Sequence, residues 1–425
     1  LIEIEFGYTS ILDHYYRKVD RARVLEGARS GIEGYLRARG IAHPHVARIV
    51  PRADGRGDVP AIEQRIGVAL QRYGARLDVR ELVYATIRGE LAALHDPYST
   101  FFTKAELGGF TKALGGETFG GIGVEIAVDR DAKRWRIDRV FPGGPADKAG
   151  VEAGDEIVAI DDVPLDVDHE DATRARLRGK IGTTVALTIV RNGTQLAAPL
   201  RLVRAVVSPP ESDARMLPGN VGYLALSAFG DRAAPEVRDG LRTLRAAGMR
   251  ALVFDLRDDG GGYETQAVRV ASLFIAHGPI VAVQQYGKPR VTTTAAPGAD
   301  LELGIPIVVL VNGNSASGAE LVAAALRERA GATLVGTKTF GKGVVQEVFP
   351  LPDGSALKVT TARYYTAAGH DIDRVGLVPD IEVEQPGDAA KGVPGRDPQL
   401  DRALASFHVP SLSAPSPSPS PAPTP

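Results

Sequence analysis

Three textures of hydrophobic and polar positions follow one another along the chain. Over the first hundred residues apolar positions recur at i, i+4 and i+5, as in YYRKVDRARVLEGARSGIEGYL and YGARLDVRELVYATIRGELAAL, and predict amphipathic helices that each have one face to bury. These two segments correspond at a constant offset: Tyr15, Val19, Asp20, Val24, Gly31 and Leu36 match Tyr73, Leu77, Asp78, Leu82, Gly89 and Leu94. They read either as a degenerate duplication of a helical hairpin or as two unrelated amphipathic helices.

From Phe119 the pattern changes to short alternating runs cut by glycines: GGIGVEIAV, RWRIDRVF, DEIVAIDDVPL, TTVALTIVRNG and LAAPLRLVR. They predict a compact β-rich module of about 90 residues, with helical patches at residues 145–148 and near 168–177. Beyond Gly222 strands alternate with helices. GYLALSAF, ALVFDLR and IPIVVLVN read as strands, and PEVRDGLRTLRAAG, QAVRVASLFIAHG and GAELVAAALRERAG as the helices between and after them, which implies a parallel or mixed sheet covered by helices. The final PSLSAPSPSPSPAPTP cannot bury a core and is expected to be extended and disordered. The resulting division is a helical region over residues 1–107, a β-rich domain over 108–206, an α/β core over 207–393 and a Pro/Ser-rich tail over 394–425.

Composition narrows the function classes. The 425 residues, 44% hydrophobic and 24% charged, hold enough apolar material for two or three cores. A formal net charge of −2 without a block of like charge lacks the footprint of a nucleic-acid binder. The absence of cysteine removes disulfides, thiolate nucleophiles and Cys-based metal sites together. No run approaches the ~18–20 apolar residues of a membrane-spanning helix. The chain opens on Leu1 rather than Met, which raises the expectation of a removed signal or anchor.

Candidate chemistry gathers in three stretches. GTKTFGKG, residues 336–343, is one residue short of a phosphate-binding loop, because Gly343 stands where a Mg²⁺-binding hydroxyl belongs. The following VVQEVFPL reads as a strand, where a phosphate cradle needs a helix, so Lys342 calls for another role. Upstream, IPIVVLVNGNSASGAELVAAAL runs strand, small-residue turn, helix, with Ser315 and Ser317 at the turn. Ser317 is nearer the helix start, and reads either as a helix cap completed by Glu320 or as a nucleophile beside backbone N–H groups that can hold an oxyanion. A second strand-end turn, DLRDDGGGYE, offers further N–H groups, and with a Ser and a Lys these are the parts for acyl transfer without histidine.

At this point the sequence resembles the carboxyl-terminal processing proteases, also called tail-specific proteases, which use a serine–lysine dyad. The match runs from about Ser10 to Val383, through LHDPYSTFF, FGGIGVEI, GGPADKAGVEAGDEIVAIDDVPL, LRGKIGTTVALTIVRNG, VFDLRDDGGG, VNGNSASGAELVAAAL, VGTKTFGKGVVQEVF and GLVPDIEV. The resemblance implies a helical N-terminal region, a PDZ domain and a βα spiral core of the ClpP/crotonase type. It aligns Ser317 with the nucleophile, Lys342 with the general base and Gln346 with the residue that orients the lysine. Gly318 and Gly261 then supply the oxyanion donors, and Phe119, Gly120, Gly121, Ile122, Gly123 and Val124 bind the peptide. Lys338 and Ser315 are left as solvated charge and turn residue. Arg178 is a candidate for coupling the PDZ domain to the core, with a solvated surface arginine as the plainer reading. Neutral Lys342 requires an apolar pocket, for which Phe340, Val344 and Val345 are at hand, without a carboxylate against it.

The expected activity is cleavage of proteins or peptides with unstructured, apolar C-termini, without cofactor or metal. Export to the periplasm, cell envelope or exterior, and a homodimer through the N-terminal helices, are further expectations. Two departures from the family pattern stand out: Gly318 where alanine is usual, and TAAG at residues 366–369 in place of Pro-Ser-Gly. The rivals are a catalytically silent PDZ scaffold, which would not need the Ser, Lys and Gln set, and an acyl-CoA hydrolase or hydratase on a related core, which would not need a PDZ domain.

Overall fold

The computed structural model of the chain describes residues 1–407 apart from 53, 54, 56, 116, 117, 130–132, 302 and 388. The helical pattern yields α1 (Ile2–His14), α2 (Arg21–Ala38), α3 (Asp58–Tyr73) and α4 (Val79–Ala92). The look-alike segments form α2 and α4, and the matching aspartates cap both: Asp20 accepts from the Ala22 N–H at 3.0 Å and Asp78 from the Glu81 N–H at 3.1 Å. The two helices pack on each other where side chains vanish. A Cβ on Gly27 would lie 2.3 Å from the Gly89 carbonyl oxygen, so only glycine permits this approach. Their apolar faces bury Leu25, Ile32, Leu82 and Ile87 completely, each contributing about 1.5–3 kcal/mol. The same cluster takes in Phe101, Val344, Leu357 and Val359, so the faces left open by the helical pattern are covered partly by strands from far along the chain.

β1 (Thr100–Phe102) and α5 (Lys104–Leu114) lead into the glycine-cut region. There the alternating runs become β2 (Phe119–Gly121), β3 (Val124–Asp129), β4 (Arg134–Val140), α6 (Pro145–Lys148), β5 (Glu156–Ile160), β6 (Val163–Pro164), α7 (Glu170–Leu177), β7 (Thr184–Arg191), β8 (Thr194–Gln195), β9 (Leu200–Val203) and β10 (Ala205–Val207). Both helical patches fall where the sequence placed them. The sheet runs β3-β4-β5-β7-β8, with β6 on β5 and β9 on β7, and β3 lies at its edge. Trp135, Ile137, Leu187 and Ile189 fill its own core. β2 pairs with β10 outside this sheet, so the entering and leaving strands are tied together.

The third region holds β11 (Ser212–Leu217), β12 (Val221–Leu226), α8 (Ala233–Ala246), β13 (Ala251–Asp255), α9 (Glu264–Ser272), β14 (Pro279–Gln285), β15 (Val291–Thr294), β16 (Ile307–Val311), α10 (Gly318–Ala330), β17 (Thr333–Gly336), β18 (Val344–Pro350), β19 (Ala356–Thr366), β20 (Ile381–Glu382) and α11 (Pro398–Ser406). One sheet runs β11-β12-β13-β16-β17-β20 and is parallel from β12 onward. Every residue of β13 and β16 is buried, as central strands covered on both faces require. An antiparallel sheet, β1-β19-β14-β15 with β18 on β19, stands beside it.

One boundary needs correction. The span expected to be a disordered tail from residue 394 contains α11, whose Leu400 and Ala403 are fully buried. Its amphipathic PQLDRALAS is short, and the partner that fixes it is Arg257, which lies 140 positions away and donates to Asp397 at the helix cap. The Pro/Ser repeat, residues 410–425, lies outside the described residues.

Candidate active site

β16 delivers the chain to a tight turn and then to α10, and Ser317 is the cap residue between them, with φ 55° and ψ −111°. A non-glycine residue held at positive φ is strained, and the surroundings that hold it are visible. The Ser315 hydroxyl accepts from the Asn312 N–H at 2.9 Å and donates to the Leu256 carbonyl at 2.7 Å, which makes Ser315 the turn residue it was expected to be. The Ala316 N–H donates to the Asp259 carbonyl at 2.9 Å, tying this turn to the glycine loop after β13. Gly261, at φ 92°, backs onto the serine so closely that a Cβ would lie 2.8 Å from the Gly318 nitrogen and 2.9 Å from Ser317 Cβ.

Glu320 joins the serine to the lysine. Buried completely, its Oε2 accepts from the Ser317 N–H and from the Lys342 N–H, each at 2.9 Å. Its Oε1 takes the Gly341 N–H at 2.8 Å and the Thr339 hydroxyl. The residue that the sequence offered as half of a capping box therefore clamps the start of α10 to the turn that carries Lys342. The carboxylate that was not expected near the lysine is present, with these donors shared between its oxygens. Lys338 is exposed.

The Lys342 ammonium is half-enclosed, its Nζ 5.4 Å from the centre of the Tyr98 ring. Burial pushes its pKa below the ordinary lysine value, the charge of Lys358 pushes further, and Glu320 works the other way. Val344 is buried as expected beside it, but Phe340 is 56% exposed and does not enclose the lysine. Tyr364 brings its phenol to the Ser317 side chain. Burial and then the charge of Glu264 raise that phenol above its ordinary value, and the contact with Ser317 opposes them. Among the described residues no hydrogen bond joins Ser317 Oγ to Lys342 Nζ. Gln346 Nε2 donates to the Val344 carbonyl at 3.3 Å, beside a register shift in β18, and among the described residues no hydrogen bond joins Gln346 to the lysine.

Of the two residues aligned with oxyanion donors, the Gly318 N–H meets no protein acceptor among the described residues, whereas the Gly261 N–H donates to Asp259 Oδ1 at 2.8 Å. Asp259 is fully buried, and among the described residues its Oδ2 has no hydrogen-bond partner. Burial pushes its carboxyl well above the usual range, the Gly261 bond opposes this, and Glu211 adds to it. Tyr98, Lys358, Tyr364 and Asp259 were not singled out from the sequence. Tyr98, Asp259 and Tyr364 sit in stretches that carry the resemblance, LHDPYSTFF, VFDLRDDGGG and TTARYYTAAG, while Lys358 lies in β19 with no local mark. Among the described residues no cluster of His, Cys, Asp and Glu could hold a metal ion.

In the β-rich region Phe119, Gly121, Ile122, Gly123 and Val124 line a cavity of ≈ 70 Å³ together with Arg174, Leu177 and Arg178. The Ile122 and Gly123 carbonyls accept from the Ala146 and Phe141 N–H groups, which pins the loop, while their own N–H groups meet no protein acceptor among the described residues. Gly120 stands behind the cavity, its carbonyl accepting from the Gly179 N–H. The Arg178 guanidinium lies 4.2 Å from the centre of the Phe119 ring. A different arginine reaches the α/β core: Arg139 on β4 donates to Asp213 on β11 at 2.9 Å.

Comparison with known proteins agrees with this architecture. The family model described as Peptidase family S41 matches residues 220–383, and that of the PDZ domain residues 136–191. The chain is 36% identical over 312 residues to the carboxyl-terminal-processing protease of Synechocystis sp., covering 72% of each chain. It is 34% identical over 313 residues to the carboxy-terminal-processing protease of Bartonella bacilliformis, covering 73% of this chain and 71% of that one. Among solved structures, the photosystem II D1 C-terminal processing protease aligns with TM-score 0.50 and 26% identity over 90% of this chain and 92% of its own. With a serine turn, a lysine turn and a PDZ groove carried on the fold that these relatives share, the chain belongs to the carboxyl-terminal processing proteases of peptidase family S41 and is a serine peptidase.

Proposed function

We propose that Ser317 is the nucleophile and Lys342 its general base in an endopeptidase that takes hold of the C-terminal tails of its substrates. One observation supports the reading: a single carboxylate oxygen of Glu320 receives the backbone N–H of both residues, so their backbones meet at one point. Neutral Lys342 takes the Ser317 proton as Oγ bonds to the scissile carbonyl carbon, then delivers it to the leaving amine as the C–N bond breaks; water hydrolyses the acyl-enzyme by the same route. The unengaged Gly318 N–H is suited to the oxyanion. Gly261 becomes the second donor when its N–H turns from Asp259, and Gln346 orients the lysine when its amide leaves the Val344 carbonyl. Both moves accompany substrate binding.

The tail itself enters the groove of Phe119 to Val124, where open N–H groups meet its carboxylate and Ile122 and Val124 its apolar end. Arg178, stacked on Phe119, is positioned to report an occupied groove to the core. Export from the cytoplasm and pairing of two copies through the N-terminal helices complete the reading. Among the described residues no helix is long and apolar enough to cross a membrane. The test compares wild type with Ser317→Ala and Lys342→Ala on casein and on a peptide with an apolar C-terminus, with products read by mass spectrometry. Each variant should lose at least about 10³-fold in kcat/KM. A Lys342→Ala enzyme that cuts at the wild-type rate would remove lysine from the mechanism, and a wild type that binds the peptide but cuts neither substrate would return the scaffold reading.

A further inference from the structure

Among the described residues β3 pairs with β4 and with no other strand, which leaves its outer edge open. The direction of its backbone groups follows from β4. Ile126 stands opposite Ile137, and Ile137 uses its N–H on the Asp155 carbonyl at 2.8 Å and its carbonyl on the Gly154 N–H at 2.7 Å, both on the far side. Ile126 and Ile137 are therefore a non-hydrogen-bonded pair, and the N–H and carbonyl of Ile126 point to the open edge. A tail added there as a strand must use them.

The Ile126 carbonyl is not bare. From α7, across the groove, Arg174 Nη2 donates to it at 3.3 Å, while another contact of the same guanidinium lies 3.8 Å away on Glu170, one turn earlier in the helix. Arg174 thus spans the place where an added strand would pair. The Ile126 side chain lines the cavity with Leu177, and directly opposed residues of neighbouring strands share a face. The tail residue paired with Ile126 therefore sends its side chain toward α7 and Arg174. An incoming strand takes over the carbonyl and displaces the guanidinium, which stays in the groove with its forked donors to satisfy.

From this geometry we infer that Arg174 is a specificity-determining residue of the groove, selecting tails that carry an Asp or Glu side chain a short way before an apolar C-terminus. The inference rests on the reading of this groove as a tail-binding site and names the class of tail.

The test uses the full chain with Ser317→Ala, to prevent cleavage, and fluorescent peptides with an apolar C-terminal residue and Glu, Gln or Lys at successive preceding positions, followed by anisotropy. At one position Glu should bind about 2- to 5-fold tighter than Gln. Arg174→Ala should bring the Glu and Gln peptides to equal affinity, and Arg174→Glu should favour Lys there. Equal binding of Glu and Gln peptides at every position, or a Glu preference that survives Arg174→Ala, overturns the inference alone. If C-terminal amides bind as well as free acids, or no peptide binds, the tail-binding reading falls and the inference with it.

Discussion

In the proposed mechanism Lys342 can act as a base only while it is neutral, and its neighbours decide when that is. Burial favours the neutral amine, and the positive charge of Lys358 adds to the effect, while Glu320 favours the ammonium. Activity should therefore rise with pH through a lysine pKa that lies below the ordinary value. Lys358→Met keeps the packing of a side chain whose ammonium lies 5.6 Å and 5.0 Å from the Phe102 and Phe110 ring centres, but removes the charge. Losing a like charge stabilises the ammonium form of Lys342, so the ascending limb of kcat/KM against pH should move to higher pH. A limb that stays in place or moves down would separate Lys358 from the base. In the sequence the glycine turn and the strand that flank Lys342 argued against a phosphate loop, and its proposed role came from the family resemblance. The residues that surround it were not legible there, because Tyr98 and Lys358 reach it only through folding, and the neighbouring Phe340 turns outward.

The glycine loop after β13 is anchored by a buried network. Arg257 donates to Asp255, to Asp397 and to Gln399, and Tyr223 donates to Asp255 at 2.7 Å, with Arg257 and Asp397 almost without solvent. Through it α11 holds the loop that lies against Ser317. Burial opposes the Asp397 charge, but Arg257 and the Gly392 N–H outweigh it and hold the carboxyl below the usual range. A depressed carboxyl stabilises the fold above its unfolded pKa, and that contribution is lost as pH falls through the lower folded value. Asp397→Ala, which leaves Arg257 short of a partner, should cost about 3–5 kcal/mol in urea unfolding at neutral pH, with a smaller gap from wild type in acid. A loss below about 1 kcal/mol would mean that the network is no more than a surface pair. Strands and helices of the core were readable from period and glycine punctuation, and so was the turn that lifts Ser317. α11 was not, because nine residues next to a Pro/Ser repeat carry little pattern and their anchor is distant in sequence.

Around one site the molecule assembles three parts. The helical region lends Tyr98 and shares its core with Val344, two residues from the lysine. The PDZ domain is held by the paired strands β2 and β10 and by the Arg139–Asp213 bridge. The core brings Ser317 and Lys342 together under Glu320. Division into these parts could be read from changes in hydrophobic period; the apolar cluster that the helical region shares with strands of the core could not, because its strands and helices are separated by most of the chain. The dyad is the claim on which the rest depends. Treating the protein with a serine-directed fluorophosphonate and mapping the adduct by peptide mass spectrometry tests it most directly. The account predicts modification at Ser317, none in Ser317→Ala, and strongly slowed labelling in Lys342→Met with the fold retained by circular dichroism. An adduct on another serine, or labelling of Lys342→Met at the wild-type rate, would contradict it.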